Sequence, residues 1–211
     1  MLHLVTGGSG SGKSWYAEQL AVNAHKEKPK GMLYYIATMY PFDEECHERI
    51  EKHQRMRAGK GFTTVECYTC LEKVKVTNQD VVLLECMSNL LANEMFQKEG
   101  RIHLRCSKWT DETERNVENK QLKMAILDPL SALADTASDL IVVTNEIFSD
   151  GEVYEAETRT YVRLLGKINC ELANKAALVT EVVCGIPVLV KAIYESFCKT
   201  ESEISNVVNY R

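Results

Sequence analysis

The chain has 211 residues, 45% of them apolar and 26% charged, with a formal net charge of −5. That length suits one α/β domain with a sizeable core and barely two, and the acidic balance argues against a general nucleic-acid binder, which carries a basic face. No apolar run approaches the ~20 residues of a membrane-spanning helix.

Leu2 to Thr6 read as a short apolar strand, and Ser14 to Ala24 as a helix with Tyr16, Leu20 and Ala24 at helical spacing. Between them Gly7-Gly8-Ser9-Gly10-Ser11-Gly12-Lys13-Ser14 spells G-x-x-x-x-G-K-S, the P-loop pattern. A glycine-rich turn with a chance lysine would match the letters, but strand, turn and helix supply the context. Glycines let the backbone wrap phosphate oxygens with its N–H groups, and the helix N-terminus adds its dipole. Lys13 offers a mobile cation to the β/γ-phosphates, and the Ser14 hydroxyl suits Mg²⁺.

Met32 to Thr38 is the second predicted strand, Asp43 to Arg57 a charged helix, Phe62 to Cys67 a short strand and Glu72 to Lys75 a helix fragment. Asp80 to Glu85 is a near-continuous apolar strand of the kind buried on both faces of a parallel sheet. Asn89 to Gln97 looks helical, and Lys98 to Thr113 is the least regular stretch, expected to be a mobile loop. Helix resumes near Glu114 and runs to Ala137, with a break expected at Asp128-Pro129. Leu140 to Thr144 is a buried strand, and Glu155 to Ala176 a long helix with Tyr161, Leu164, Leu165, Ile168 and Leu172 on its apolar face. Leu178 to Cys184 is a strand, Gly185-Ile186-Pro187 a turn, and Val188 to Lys191 a short returning strand.

Alternating strands and helices predict an α/β fold of P-loop NTPase type: a mostly parallel sheet, helices on both faces, and an antiparallel C-terminal edge strand. One domain over 1–191, with 192–211 as a tail or appended helix, is the economical division. The eight cysteines are scattered, and the one C-x-x-C, Cys67 to Cys70, lacks the second pair a structural zinc needs. With the first strand starting almost at Met1 and no room for a signal peptide, reduced thiols in a cytoplasmic protein are expected.

Two further groups carry chemistry. Glu85 closes a strand, and ligands of such folds gather at the carboxyl ends of strands, where an acid holds Mg²⁺ or reaches a nucleotide ribose. Arg49, His53 and Arg57 are spaced i, i+4, i+8 and share one helix face. Arginines oppose a metal cation and a protonated imidazole alike, so they leave a neutral, nucleophilic ring beside groups that bind phosphate. On spacing alone the same residues also make an ordinary solvated basic face. His47 lies about 240° around the helix from His53 and is expected to face away.

Several motifs then agree in order and spacing with one family. V-T-G-G-S-G-S-G-K-S, Y-I-A-T at Tyr35 to Thr38, D-E-E-C-H-E-R-I-E-K-H-Q-R-M-R ending at Arg57, T-V-E ending at Glu66, L-L-E-C, V-T-N-E, G-K-I-N and C-G-I-P-V-L-V-K cover residues 1–191. The sequence resembles the bifunctional adenosylcobinamide kinase / adenosylcobinamide-phosphate guanylyltransferase family of cobalamin biosynthesis. That resemblance implies a transferase that phosphorylates adenosylcobinamide and moves GMP from GTP onto the product, with ATP or GTP and Mg²⁺ required. It implies a corrinoid substrate, no nucleic-acid partner, no transmembrane segment and a homotrimer. His53 matches the histidine that becomes guanylylated. Gly7, Gly8, Ser9, Gly10, Ser11, Gly12, Lys13 and Ser14 match the phosphate loop. Thr38, Gln54, Arg55, Met56, Arg57, Glu66 and Glu85 match positions lining the nucleotide site, with Ser14 and Glu85 toward the metal.

The chain departs from the family where V-P-E-N gives way to Val153-Tyr154-Glu155-Ala156, and where a phenylalanine-arginine pair gives way to Tyr161-Val162. A protein retaining one of the two activities, or a nucleotide-binding regulatory protein, would share the P-loop. The histidine argues against the regulatory reading.

Overall fold

Runs of β-branched and leucine residues set the centre of the molecule. Residues 1–103, 112–149 and 154–193 are described by a computed structural model. Among them Val81–Glu85 (β4) and Asp139–Val143 (β5) lie side by side, nearly every residue buried. Such strands have no polar face to offer water, so they take the interior of a parallel sheet. Around them lie Leu2–Thr6 (β1), Leu33–Ala37 (β2), Thr63–Glu66 (β3), Leu178–Val183 (β6) and Ile186–Ala192 (β7). The order is β3-β2-β4-β5-β1-β6-β7, parallel throughout except that β7 returns antiparallel to β6. This is the expected doubly covered P-loop sheet.

The period of two along each strand divides the core. Val81 and Leu83 face Tyr16, Ala17 and Leu20 of helix α1 (Lys13–Glu27), while Val82 and Leu84 face the opposite layer. That layer holds α3 (Met87–Phe96), α5 (Asp128–Thr136) and α6 (Ala156–Lys175), whose Leu164, Leu165, Ile168 and Leu172 are buried as predicted. Helix α2 (Glu44–Arg57) differs from these: none of its residues is buried. It starts cleanly because the Asp43 carboxylate accepts the Cys46 N–H at 2.8 Å and acids fill its first turn.

Three expectations need correction. The turn before the last strand is Cys184-Gly185, both with positive φ (50° and 78°), so Ile186 and Pro187 belong to β7. Proline is admissible there because β7 is an edge strand.

The long helix after the irregular stretch is interrupted ahead of Asp128-Pro129, by a π-helical turn, Lys123–Leu127, between α4 (Glu112–Leu122) and α5, and Pro129 itself sits in the first turn of α5. Pro129 has no N–H for the Ala125 carbonyl four residues back. Arg101 donates to that carbonyl instead, at 2.8 Å.

Arg101 therefore overturns part of the third expectation. Residues 98–103 are pinned: Arg101 also binds the fully buried Glu94, and Ile102 is buried in the core. Of the remainder of the predicted mobile loop, residues 104–111 lie outside the described residues, as do Val153 of the altered Val153 to Ala156 segment and residues 194–211 of the expected tail, whose first residue, Ala192, ends β7.

Candidate active site

Two glycines shape the loop after β1. A side chain on Gly7 would meet the Val182 carbonyl at 2.6 Å, and Gly12, at φ 93°, lies against Gly185. The loop is also tied sideways, since the Gly185 N–H donates to the Ser11 carbonyl at 2.8 Å. The Lys13 ammonium donates to the Gly8 carbonyl at 2.9 Å. Burial holds its pKa below the usual lysine range, and Glu85 pulls in the other direction.

Strand β4 delivers Glu85 beside the start of α1. The Ser14 hydroxyl donates to its Oε1 at 2.6 Å, while its Oε2 is buried with no hydrogen-bond partner among the described residues. Burial pushes this carboxyl up to about 7, the Ser14 bond opposing. Thr38, fully buried, braces it from behind: its hydroxyl lies within 2.9 Å of the Glu85 and Cys86 carbonyls and accepts the Cys86 N–H at 2.7 Å.

Helix α2 roofs this floor and is held at its C-terminal end. Arg57 stacks 4.1 Å over the Tyr35 ring and donates to Thr64, and Lys60 reaches the buried Glu18 at 2.6 Å. His53 is thereby placed over the P-loop cavity, its Nδ1 buried and without a partner among the described residues. Burial lowers its pKa to about 4, helped by Arg57, Arg49, Lys52 and Lys13, so the ring is neutral at physiological pH.

These groups share one cleft of about 680 Å³ at the carboxyl ends of the strands. It brings together Ser9, Gly10, Ser11, Gly12, Lys13, Ser14, His53, Gln54, Met56, Arg57, Glu66 and Glu85 from the sequence reading. Gly7 and Gly8 form the loop without lining the cleft, and Thr38 acts from the second layer. Arg55 points to solvent, paired with Glu51 at 3.2 Å. His47 does not turn away as expected: it borders the cleft, its Nδ1 2.7 Å from the Asp43 carbonyl. A helix with no buried side lets the mouth of the cleft wrap around it. The other histidines stay outside the cleft. His3 is buried against Thr180, His25 is half-buried rather than solvated, and His103 is exposed.

Sequence reasoning missed Tyr35, Tyr68, Asn89 and Asn145, which also line the cleft. For Asn145 a signal existed: it follows a buried strand within V-T-N-E, at the sheet end where ligands collect.

A phosphate-binding loop, an acid at the carboxyl end of β4 and a cation-flanked neutral histidine in one cleft define a P-loop nucleotide-binding transferase. The chain belongs to the family described as cobinamide kinase / cobinamide phosphate guanyltransferase, whose profile matches residues 3–190. It is 32% identical over 195 residues to the bifunctional adenosylcobalamin biosynthesis protein CobU of Escherichia coli and 30% identical to that of Salmonella typhimurium, covering 90% of this chain and all of each relative. Among solved structures it resembles the P4 protein from bacteriophage phi6 in complex with ADP, with TM-score 0.34 and 11% identity. That match covers 88% of this chain and about half (52%) of that one.

Proposed function

We propose that one cleft runs both half-reactions. In the first, the γ-phosphoryl group of ATP or GTP passes to the hydroxyl on the aminopropanol arm of adenosylcobinamide. In the second, a neutral His53 ring nitrogen attacks the α-phosphorus of GTP. The nitrogen–phosphorus bond forms, the bond to the β-phosphate bridge breaks, and pyrophosphate leaves. A phosphate oxygen of adenosylcobinamide phosphate then displaces the imidazole, giving adenosylcobinamide-GDP. Splitting nucleotidyl transfer this way needs a neutral nucleophile beside groups that take up phosphate charge. The observation that carries the reading is His53, neutral and without a partner at Nδ1 among the described residues, in the same cleft as Lys13.

Ser14 and Glu85 suit Mg²⁺: a hydroxyl and a carboxylate 2.6 Å apart, with the second carboxylate oxygen buried and without a partner among the described residues. When bound there, the ion would neutralise charge on the β- and γ-phosphates. Lys13 and the loop N–H groups would hold the phosphate oxygens, Arg57 and Arg49 the charge near His53, and Glu66 with Gln54 and Met56 the outer part of the nucleotide. We further infer a homotrimer acting in the cytoplasm, with residues 1–191 as the catalytic domain; the family match over 3–190 supports that division.

Incubation with α-labelled GTP and Mg²⁺ tests the reading. Label that is acid-labile, base-stable and mapped to His53 is expected. An unlabelled, folded protein overturns the guanylyl-transfer half.

A further inference from the structure

The kinase half-reaction needs something to orient the attacking hydroxyl; the P-loop offers no acceptor for it, and His53 is assigned above to the GMP step. Lys13, Ser14 and the loop N–H groups are donors or cations suited to phosphate oxygens. An alcohol proton calls for an acceptor.

Asn145 meets that need. It sits just past the carboxyl end of β5, the strand lying between β1, which leads into the P-loop, and β4, which ends in Glu85. It lines the cleft together with Lys13, Ser14 and Glu85. Its backbone is fixed on both sides. The Thr144 N–H donates to the Val5 carbonyl at 2.9 Å, and the Glu146 N–H to the Gly7 carbonyl at 3.0 Å. Its carboxamide is fixed too: Nδ2 donates to the Ser88 hydroxyl at 2.8 Å, and that hydroxyl lies 2.9 Å from the Cys86 thiol. With Nδ2 committed, Oδ1 is the acceptor left over, and it has no donor among the described residues. A neutral amide oxygen is suited to this place, since another carboxylate beside Glu85 would repel the nucleotide phosphates.

We propose that Asn145, oriented by Ser88, accepts the hydrogen bond of the acceptor hydroxyl and aims its oxygen at the γ-phosphorus, making it a catalytic residue of the kinase half-reaction. This rests on the kinase activity proposed above. In the step, the hydroxyl oxygen–phosphorus bond forms as the bond from that phosphorus to the β–γ bridging oxygen breaks. The nucleoside diphosphate leaves with that electron pair. The hydroxyl keeps its proton, hydrogen-bonded to the amide oxygen, until attack, and the proton then passes to an oxygen of the transferred phosphoryl group and on to solvent.

The test compares transfer with leakage. Wild type, Asn145→Ala and Ser88→Ala are assayed for cobinamide phosphate formation and for hydrolysis of the same nucleotide by water. Water needs no oriented alcohol, so Asn145→Ala is expected to lose ~30–100-fold in transfer kcat while hydrolysis falls much less, so that the transfer-to-hydrolysis ratio collapses. Ser88→Ala, which frees the amide to rotate, should fall between. Equal loss of transfer and hydrolysis in Asn145→Ala would overturn the assignment, because the residue would then act on the phosphoryl group or the loop. So would unchanged transfer. Should Asn145→Ala fail to fold, the same ratio in Asn145→Ser and Ser88→Ala decides. A wild-type protein that makes no cobinamide phosphate sinks the kinase reading itself, and this assignment with it.

Discussion

The Lys60 ammonium lies 2.6 Å from the Glu18 carboxylate, an acid with no exposure of its own, and so joins the helix behind the P-loop to the far end of the helix that carries His53. Burial holds the Glu18 carboxyl above the usual range, with Lys60 and Arg57 pulling it down. Removing Lys60 leaves that acid without its partner. Lys60→Met should cost about 2–3 kcal/mol in urea unfolding at neutral pH. A group whose folded pKa is raised keeps its proton longer in the folded state, so its contribution shrinks as pH climbs. The variant's stability should therefore fall more steeply than wild type as pH rises above the ordinary carboxylate value of 4.5. A parallel pair of pH–stability curves would refute the coupling.

Lys13→Ala removes the mobile cation from the phosphate loop. Triphosphate affinity should weaken and phosphoryl transfer should drop at least ~100-fold, the scale seen when a preorganised charge partner is lost. The melting temperature without nucleotide should change little, because burial already disfavours the charged form. Steady-state kinetics with a parallel thermal melt checks both.

Glu85→Gln keeps the shape of the Ser14 contact and removes the charge. The concentration of Mg²⁺ needed for half-maximal rate should rise by about tenfold or more, with little loss of fold stability. An unchanged Mg²⁺ requirement would take Glu85 out of the metal site.

His53→Asn should abolish covalent labelling while leaving the fold intact, since α2 buries no residue. With its pKa near 4, His53 is in the basic form above that value, so the wild-type labelling rate should stay flat as pH falls from 8 to about 5. Arg57 is the largest charge holding that pKa down. In Arg57→Ala the acidic limb should move upward, while burial and the remaining cations still hold it below the ordinary histidine range. An acidic limb near 6.5 in the wild type would mean an exposed histidine.

Assembly is a prediction of its own. Light scattering at micromolar concentration should give the mass of three chains; a monomer throughout would contradict the trimer.

The P-loop was legible because G-x-x-x-x-G-K-S is a local pattern, although Gly7 and Gly12 also answer to Val182 and Gly185 far along the chain. Glu85 was legible because a buried run ending in an acid marks a strand end. His53 was legible because an i, i+4 pattern of arginines is a local fact about one helix. The remainder depends on strand order, which no local pattern encodes. Tyr35 reaches Arg57 only because β2 lies between β3 and β4, and Asn145 reaches Ser88 across 57 residues only because β5 pairs with β4. Arg101 looked like loop because the carbonyl it serves is freed by a proline 28 positions later in the chain. Pro187 looked like a turn because proline stops interior strands, and only the sheet's edge admits it.

Helix α2 contributes its chemistry without contributing to the core. A change at Gln54 or Met56 therefore alters what the cleft accepts with little effect on whether the chain folds, whereas a change at Leu83 or Ile168 does the reverse. Substitutions in this protein are therefore expected to sort into two compartments. New acceptor or nucleotide preferences can be explored on the roof helix at nearly constant thermal stability, and libraries confined to residues 44–57 should stay largely soluble even when most of their members are inactive.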